Sequence, residues 1–496
     1  MPYRESGVLL NISSLPGRYG IGKFGSGAVA FAARIADMGF TRWQVLPFSQ
    51  PGLGDSPYAS ESAFAGNILY ISPDMLAEDG YITAAEAREC VYNGSPYETD
   101  YAFARESVLR LLKKAFGRLT GSARESFYPL LPPEKQEYCR YMALKEKHSG
   151  KPFTEWGPDI DCNTADSGGG EHFHAFAQCI FEDQWQRTKK RINELGVKII
   201  GDIPMYVSRY SADLWAHRRV FRTEGDFSLS SVAGAPPDYF SADGQLWGNP
   251  LYDWEYLAST GYEWWVRRII SALNDYDTLR IDHFRGLASY WAVPAGETTA
   301  RNGRWEKGPG QALFDALNRE LPGADIIAED LGGFGEDVES LLRSTGYAGM
   351  RIIQFGFDNP ADGSHLPHNY PVNSVAYTGT HDNDTLLGWL YAASPEVRSR
   401  ALRYCSADDT DWGRGGPQAP ACRRIIETVW RSPSFLAVLP VQDMCGFGGD
   451  ARMNRPGVPS GQWRFRLTDE FLFGIDADWF RNLNRTFRRT GIDKTV

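Results

Sequence analysis

Eight short apolar segments are spread along this chain of 496 residues, and each stops abruptly at a polar or turn residue. Most of them are nearly continuous in Val, Ile and Leu, which is typical of parallel strands covered on both faces. Helical patterns separate several of these strands, so the sequence predicts an α/β fold, a (β/α)8 TIM barrel. The predicted strands lie in residues 7–15, 43–47, 197–204, 278–284, 325–331, 350–356, 374–382 and 435–443, and the predicted helices in residues 28–38, 181–195, 264–273 and 310–321.

Acidic side chains stand at or near the C-terminal ends of five predicted strands. In a barrel these ends converge on one face, where the catalytic groups of such enzymes lie. Carboxylates that follow strands also cap helices, which could explain one or two of the five. Their number favours a shared acidic pocket, and it favours a closed barrel over an open doubly wound sheet. The residues are Asp202, Asp282, Glu329, Asp382 and Asp443.

Two connections are longer than a normal crossover, and we interpret both as insertions into a single catalytic domain that spans residues 1–496. Residues 50–175, after the second strand, contain helical stretches rich in Lys, Arg and Glu and are predicted to form a mainly helical insertion. Residues 205–260, after the third strand, are rich in Gly, Pro and aromatic residues. A loop of that length is usually functional, so we predict a lid over the barrel mouth. Its aromatic side chains could stack on sugar rings or merely pack the lid, and they are Tyr239, Phe240, Trp247 and Trp254.

The composition excludes several classes of protein. With 52 Lys and Arg against 62 Asp and Glu, the net charge is −10, which disfavours nucleic acids and anionic membranes as partners. No apolar run approaches the ~20 residues of a membrane-spanning helix, and the N-terminus lacks a signal-peptide pattern. The seven cysteines are scattered without a Cys-x-x-Cys pair, which favours reduced thiols. We therefore expect a cytoplasmic protein.

Arg280 and Asp282 lie two residues apart in one predicted strand, in the sequence LRIDHFRG. Strand alternation places both side chains on the same side. A guanidinium beside a carboxylate favours the ionised carboxylate, and an ionised carboxylate is what a nucleophile needs. A structural salt bridge inside the barrel is the alternative.

Glu329 ends the apolar segment of IIAEDL. Desolvation at such a position raises the pKa of a carboxyl group, so that the group can stay protonated and act as an acid. A helix cap is the alternative here.

His381 and Asp382 adjoin at another strand end, in YTGTHDNDT. Metal binding is conceivable, because hard oxygen ligands follow, but their spacing does not match a calcium loop. His172 and His174 lack an obvious third ligand, so a metal there is also disfavoured. Two carboxylates that flank a bond, with a third that grips hydroxyls, are instead typical of a retaining glycosidase.

These motifs together resemble a known family, the 4-α-glucanotransferases called amylomaltases or disproportionating enzymes (glycoside hydrolase family 77 of the α-amylase clan). The resemblance extends from Ser6 to about Arg466, nearly the whole chain. Nine markers follow the order that they have in that family. They are SGVLLNISSLPGRYGIGKFG, GDSPYASESAFAGN, GDIPMYV, GQLWGNPLYDW, LRIDHFRGLASYWAVPAGE, GRWEKGPG, IIAEDLG, YTGTHDNDT and ARMNRPGVPSGQW.

The resemblance implies a role for each matching residue. Asp282 would be the nucleophile, Glu329 the acid/base, and Asp382 the third carboxylate, which distorts the donor ring. Arg280 would orient the nucleophile. Asn11 and Lys23 depart from the family pattern, where a His and an acidic residue are common. The substrate-binding residues implied by the family are Ser56, Tyr58, Asp202, Gln245, Trp247, Asn249, Arg280, His381 and Asn454.

The activity that the resemblance implies is transfer of α-1,4-glucan segments between maltooligosaccharides through a covalent glycosyl-aspartate. It implies no cofactor, no metal, no nucleic acid and no membrane partner, and it leaves a monomer or a homodimer open. Two alternatives remain. An α-glucan hydrolase would use the same three carboxylates, whereas a non-catalytic glucan-binding protein would need none of them. A dehydrogenase or kinase is disfavoured, because neither a dinucleotide glycine fingerprint nor a P-loop is found.

Overall fold

The computed structural model describes residues 4–237, 241–331, 335–358, 363–458 and 460–491. Eight parallel strands form a closed barrel, which confirms the predicted (β/α)8 fold, and each of the eight predicted segments overlaps one barrel strand. In chain order the strands are β1 (Glu5–Leu9), β2 (Arg42–Gln44), β3 (Lys198–Ile203), β4 (Ser231–Ala235), β5 (Gln245–Pro250), β6 (Thr278–Ile281), β7 (Ser289–Pro294), β8 (Arg304–Lys307), β9 (Ile326–Ala328), β10 (Ala348–Ile352), β11 (Ser374–Tyr377) and β12 (Leu436–Pro440).

The barrel consists of β1, β2, β3, β6, β9, β10, β11 and β12, paired in that order around the ring. Its interior is filled by apolar side chains such as Ile200, Met350 and Val438, all of which are fully buried. The barrel is therefore a packed core and not a pore. Side chains at the C-terminal ends of its strands lie above this core.

Helices surround the barrel, and they make up most of the regular structure in the long connection between β2 and β3. Four of them overlap the four predicted helices. Six helices, α2 to α7, lie between β2 and β3. The helices are α1 (Ser26–Asp37), α2 (Pro73–Glu78), α3 (Ala84–Arg88), α4 (Tyr101–Arg118), α5 (Gly121–Glu125), α6 (Pro133–Lys147), α7 (Glu171–Glu194), α8 (Ala212–Ala216), α9 (Trp254–Ser259), α10 (Glu263–Asp275), α11 (Arg285–Ala288), α12 (Gln311–Glu320), α13 (Glu336–Thr345), α14 (Phe355–Asp358), α15 (Leu386–Ala392), α16 (Pro395–Tyr404), α17 (Pro420–Arg431), α18 (Val441–Cys445), α19 (Asp469–Gly474) and α20 (Ala477–Thr486).

A second, antiparallel sheet was not foreseen. It has the strand order β5-β4-β7-β8 and combines part of the third connection with a hairpin that follows β6. Trp291 of β7 lies opposite Trp305 of β8. These strands are not apparent in the sequence, because β4 (SVAGA) and β5 (QLWGNP) lack the nearly continuous Val, Ile and Leu that marked the barrel strands. Of the four aromatic residues assigned to the lid, Trp247 lies on β5, Trp254 begins α9, and Tyr239 and Phe240 lie outside the described residues.

Three further observations concern the described part of the chain. Within it, no helix is both long and apolar enough to cross a bilayer. In the same residues, no group of three or more His, Cys, Asp and Glu side chains is placed to hold a metal ion. All seven cysteines are free thiols.

Candidate active site

A buried arginine connects two carboxylates at the C-terminal end of the barrel. Asp202 of β3 lies opposite Arg280 of β6 in the strand register. Arg280 Nη1 is 2.5 Å from Asp202 Oδ2, and its Nη2 donates to Asp282 Oδ1 at 3.0 Å. Arg280 and Asp202 are buried, whereas the Asp282 side chain keeps 28% of its surface exposed. Asp282 is therefore the member of this triplet that faces the open end of the barrel.

Glu329 reaches the same site from the adjacent strand. It follows β9, which pairs with β6, and its own N–H donates to Ile281 at 3.0 Å. Its carboxyl oxygens accept two backbone hydrogen bonds, from His283 N–H to Oε2 at 2.7 Å and from Leu331 N–H to Oε1 at 3.1 Å. These contacts orient the carboxyl group of Glu329 next to the residue that follows Asp282.

The environment separates the pKa values of these two carboxyl groups. Burial raises the pKa of Asp282 to about 6, an effect that Arg280 opposes and the charge of Asp202 reinforces. Burial raises the pKa of Glu329 well above its ordinary value, and the negative charge of Asp282 raises it further. The same environment thus favours the protonated form of Glu329 more strongly than that of Asp282, which Arg280 helps to keep ionised. Such a pair can supply a nucleophile and a general acid.

Asp382 lies in the loop after β11 and is held from two sides. Asn454 Nδ2 donates to its Oδ1 at 2.6 Å, and His381 Nε2 is 3.3 Å from its Oδ2. Burial opposes its ionisation, but His381 and Asn454 outweigh that effect and lower the pKa of Asp382. The side chain nevertheless keeps 42% of its surface exposed. An ionised, oriented carboxylate thus faces the space that Asp282 also faces, and the charge of Asp382 raises the pKa of Asp282.

Tyr58 contacts both Asp202, which Arg280 holds, and His381, which lies beside Asp382. Its hydroxyl donates to Asp202 Oδ2 at 2.6 Å, and its ring stacks on His381 with centroids 5.1 Å apart. The N–H of Tyr58 donates to Ser56 Oγ at 3.2 Å, which fixes the turn that carries both residues. The loop after β2 therefore contacts the ends of both β3 and β11.

Three predicted substrate-binding residues, Gln245, Trp247 and Asn249, lie on β5 and have different surroundings. Trp247 is 36% exposed and meets the ring of His283 edge to face, with centroids 4.8 Å apart. Gln245 is exposed, and its Oε1 accepts from Trp247 Nε1 at 3.1 Å. Asn249 donates from Nδ2 to the backbone oxygen of Val207 at 2.7 Å. Trp247 thus borders the site directly, while Asn249 ties β5 to the loop after β3.

Asp443 does not join the acidic pocket that the strand ends predicted. It is buried, Thr378 Oγ1 donates to its Oδ2 at 2.6 Å, and the N–H of Leu386 donates to its Oδ1 at 2.8 Å. Leu386 is the first residue of α15, whose N-cap residue is Thr385, so Asp443 caps the helix from outside by accepting one of the free N–H groups at its start. Burial raises the pKa of Asp443 to about 7. Both of its oxygens are committed to structure, and capping was the alternative considered for carboxylates at strand ends.

Asn11 and Lys23, which depart from the family pattern, are both held by hydrogen bonds to other residues. Asn11 donates to Ser13 Oγ at 2.7 Å and to Tyr70 at 3.3 Å. Lys23 donates from Nζ to the backbone oxygen of Leu69 at 2.6 Å. Both side chains are buried, and these contacts tie them to the structure around β1 and not to the carboxylates.

Sequence reasoning missed three residues of the site. His283 contacts Glu329 through its backbone, Trp463 packs against the ring of His381 at 5.8 Å, and Arg452 donates to the backbone oxygen of Asp382. Trp463 and Arg452 both lie in the marker ARMNRPGVPSGQW, but nothing in their spacing distinguished them from packing residues. Their roles depend on contacts between distant segments.

The comparisons with known proteins show the family of this chain. A family model described as 4-alpha-glucanotransferase matches residues 10–471. The 4-alpha-glucanotransferase of Streptococcus pneumoniae serotype 4 is 39% identical, with 99% of this chain and 98% of that protein aligned. The enzyme of the same name from Thermus thermophilus is 41% identical, with 94% and 95% aligned.

A solved structure shows the same architecture. An amylomaltase from Streptococcus agalactiae in complex with acarbose is 34% identical and superposes with a TM-score of 0.92, covering 99% of this chain and 100% of that one. These matches confirm the resemblance in the sequence, and the chain belongs to the 4-alpha-glucanotransferase family.

Proposed function

We propose that the chain, a 4-α-glucanotransferase by family, moves α-1,4-glucan segments between maltooligosaccharides by a retaining double displacement at Asp282 and Glu329. The observation that carries this assignment is that Arg280 holds Asp282 while two backbone N–H groups orient the neighbouring carboxyl group of Glu329, whose pKa burial raises. Retaining glycosidases need an ionised carboxylate and a protonated carboxyl group on opposite sides of one bond.

In the first half-reaction Asp282 Oδ attacks the anomeric carbon as the C–O bond to the leaving glucan breaks. Glu329 gives its proton to the departing oxygen, so the leaving glucan acquires a free 4-hydroxyl and Asp282 becomes a glycosyl ester. Arg280 supports this step because its cation disfavours protonation of Asp282.

In the second half-reaction Glu329, now ionised, accepts the proton of an incoming 4-hydroxyl. The acceptor oxygen attacks the anomeric carbon, the ester bond to Asp282 breaks, and an α-1,4 bond is formed again. The two N–H groups that bond Glu329 stabilise its ionised form at this stage. Glu329 therefore alternates between acid and base without moving away from its partners.

Asp382 and His381 would bind hydroxyls of the donor ring. Their exposure to the same space as Asp282 supports this role, and so does the low pKa of Asp382, since an ionised carboxylate is a strong acceptor for sugar hydroxyls. Tyr58, Ser56 and Asp202 would line the donor side. Trp247 and Gln245 on β5 would cover it as part of a lid formed by residues 205–260.

Transfer instead of hydrolysis requires that the glycosyl ester be protected from water. The exposed indole of Trp247 beside His283 supports a site that an acceptor glucan closes from above. Incubation with maltotriose tests the proposal. Transfer yields glucose and longer maltooligosaccharides at a constant total of reducing ends. Steady growth of reducing ends would instead indicate the hydrolase, and any turnover of maltotriose would exclude a non-catalytic binding protein.

A further inference from the structure

His283, the residue after the proposed nucleophile, has a backbone conformation that side chains other than glycine rarely adopt. Its φ is 49°, in the left-handed region. His, Asn and Asp are the non-glycine residues that tolerate this region best, whereas β-branched residues are true outliers there. Strained backbone of this kind persists only where the surrounding structure enforces it.

Two consecutive N–H groups at this turn point at the same residue. His283 N–H donates to the Glu329 side chain at Oε2, 2.7 Å away, and Phe284 N–H donates to the Glu329 backbone oxygen at 3.0 Å. In an extended strand successive N–H groups point in opposite directions, whereas a helical or left-handed turn brings them to one side. The left-handed turn at His283 is what allows both bonds to form together.

The imidazole ring of His283 packs against neighbouring residues, whereas the backbone N–H of His283 binds Glu329. Burial lowers the pKa of His283 to about 4, and the charge of Arg285 lowers it further, so the ring is neutral. It packs edge to face against Trp247, and a methyl group on Gly286 would come within 3.1 Å of its Cδ2. The ring therefore fills a gap between β5 and α11 and carries no charge toward the site.

We propose that His283 is a positioning residue, whose left-handed backbone aims its N–H at Glu329 and so fixes the carboxyl plane of the acid/base relative to Asp282. The N–H occupies one lone pair of Oε2, and Leu331 N–H occupies one of Oε1. The carboxyl group cannot rotate without losing both bonds. Its proton is thereby held in the orientation that faces the bond to be broken. This inference rests on the proposed role of Glu329.

Substitutions that differ in backbone freedom test the proposal. His283→Gly and His283→Ala both remove the imidazole ring, but only His283→Gly accepts φ near 50°, so kcat should be higher in His283→Gly, and His283→Asn, which also accepts this φ, should keep the parental pH profile. His283→Ala tolerates this φ poorly. It should lose about tenfold in kcat with little change in KM, a fraction of the ~10²–10⁴-fold that general acid–base catalysis supplies. Loss of the N–H bond also raises the pKa of Glu329, so the alkaline limb of kcat should move up by about half a pH unit.

A matched pair of control variants measures what the same two substitutions do at another residue in the left-handed region. Ser406 has a φ of 53° at an exposed position after α16, and it takes no part in the contacts described above for Asp282, Glu329 and Asp382. Ser406→Gly and Ser406→Ala should differ in thermal stability and not in kcat or pH profile. Equal kcat and equal pH profiles for His283→Gly and His283→Ala would overturn the proposal, and so would a loss in His283→Gly as large as that in His283→Ala. Glu329→Gln is assayed in parallel, since full activity in that variant would instead contradict the proposed function.

Discussion

Arg280 holds Asp282 by a hydrogen bond of 3.0 Å from Nη2 to Oδ1. The same guanidinium reaches Asp202 through its other terminal nitrogen, so one planar cation fixes two carboxylates at the ends of neighbouring strands. This geometry orients the proposed nucleophile, Asp282. The contributions of the positive charge of Arg280 and of its planar shape can be tested separately.

Arg280→Lys should keep the positive charge and lose the simultaneous contact with both carboxylates, because an ammonium is a point charge and not a planar fork. A charge-assisted hydrogen bond contributes about 1.5–3 kcal/mol, so kcat/KM should fall about 10- to 100-fold. The acidic limb of the kcat/KM profile should also move to higher pH, because weaker pairing raises the pKa of Asp282 further. Arg343→Lys, in an exposed pair with Glu339 on α13, is the matched control and should change neither quantity. An unchanged profile in Arg280→Lys would contradict this role.

The parent enzyme should show a bell-shaped dependence of kcat/KM on pH. Activity needs Asp282 ionised, so it should fall as pH drops through about 6. It also needs Glu329 protonated, so it should fall again at higher pH as this raised pKa is passed. The two limbs belong to the coupled pair. Glu329→Gln should abolish the alkaline limb, and α-maltosyl fluoride, whose leaving group needs no proton, should partly restore the first step. A flat profile between pH 5 and 9 would refute the assignment.

Asp282→Asn should abolish turnover while binding of maltohexaose, measured by calorimetry, stays close to that of the parent. The amide has nearly the same shape as the carboxylate but cannot form the glycosyl ester. Substantial turnover in this variant would show that another group is the nucleophile. A binding loss as large as the activity loss would instead indicate misfolding, which the melting temperature checks.

Asp443→Ala should have the opposite effect, because Asp443 caps α15 and lies outside the acidic pocket. Loss of the cap and of the bond to Thr378 should lower the free energy of unfolding in urea by about 1–3 kcal/mol. The kcat/KM of the folded variant should stay within tenfold of the parent. A variant with parental stability and no activity would place Asp443 in the chemistry after all.

The sequence by itself determined the barrel, because strands covered on both faces must be continuously apolar and must stop where the chain returns to solvent. It also located Asp282, Glu329 and Asp382, since the C-terminal ends of barrel strands converge. Local patterns carried less information about the sheet formed by β4, β5, β7 and β8. β4 and β5 lack the nearly continuous Val, Ile and Leu of the barrel strands, and the pairing of β4 with β7 joins segments on either side of β6.

Only the tertiary structure decided what each acidic residue does. Asp443 and Asp282 both stand at strand ends, yet one is enclosed by Thr378 and the N-terminus of α15, while the other keeps an open face. The conformation of His283 likewise could not be predicted from the sequence, because its partners are Glu329, which follows β9, and Trp247 on β5. A carboxylate's pKa and a backbone's strain are set by neighbours that lie far away along the chain, and no local pattern records them.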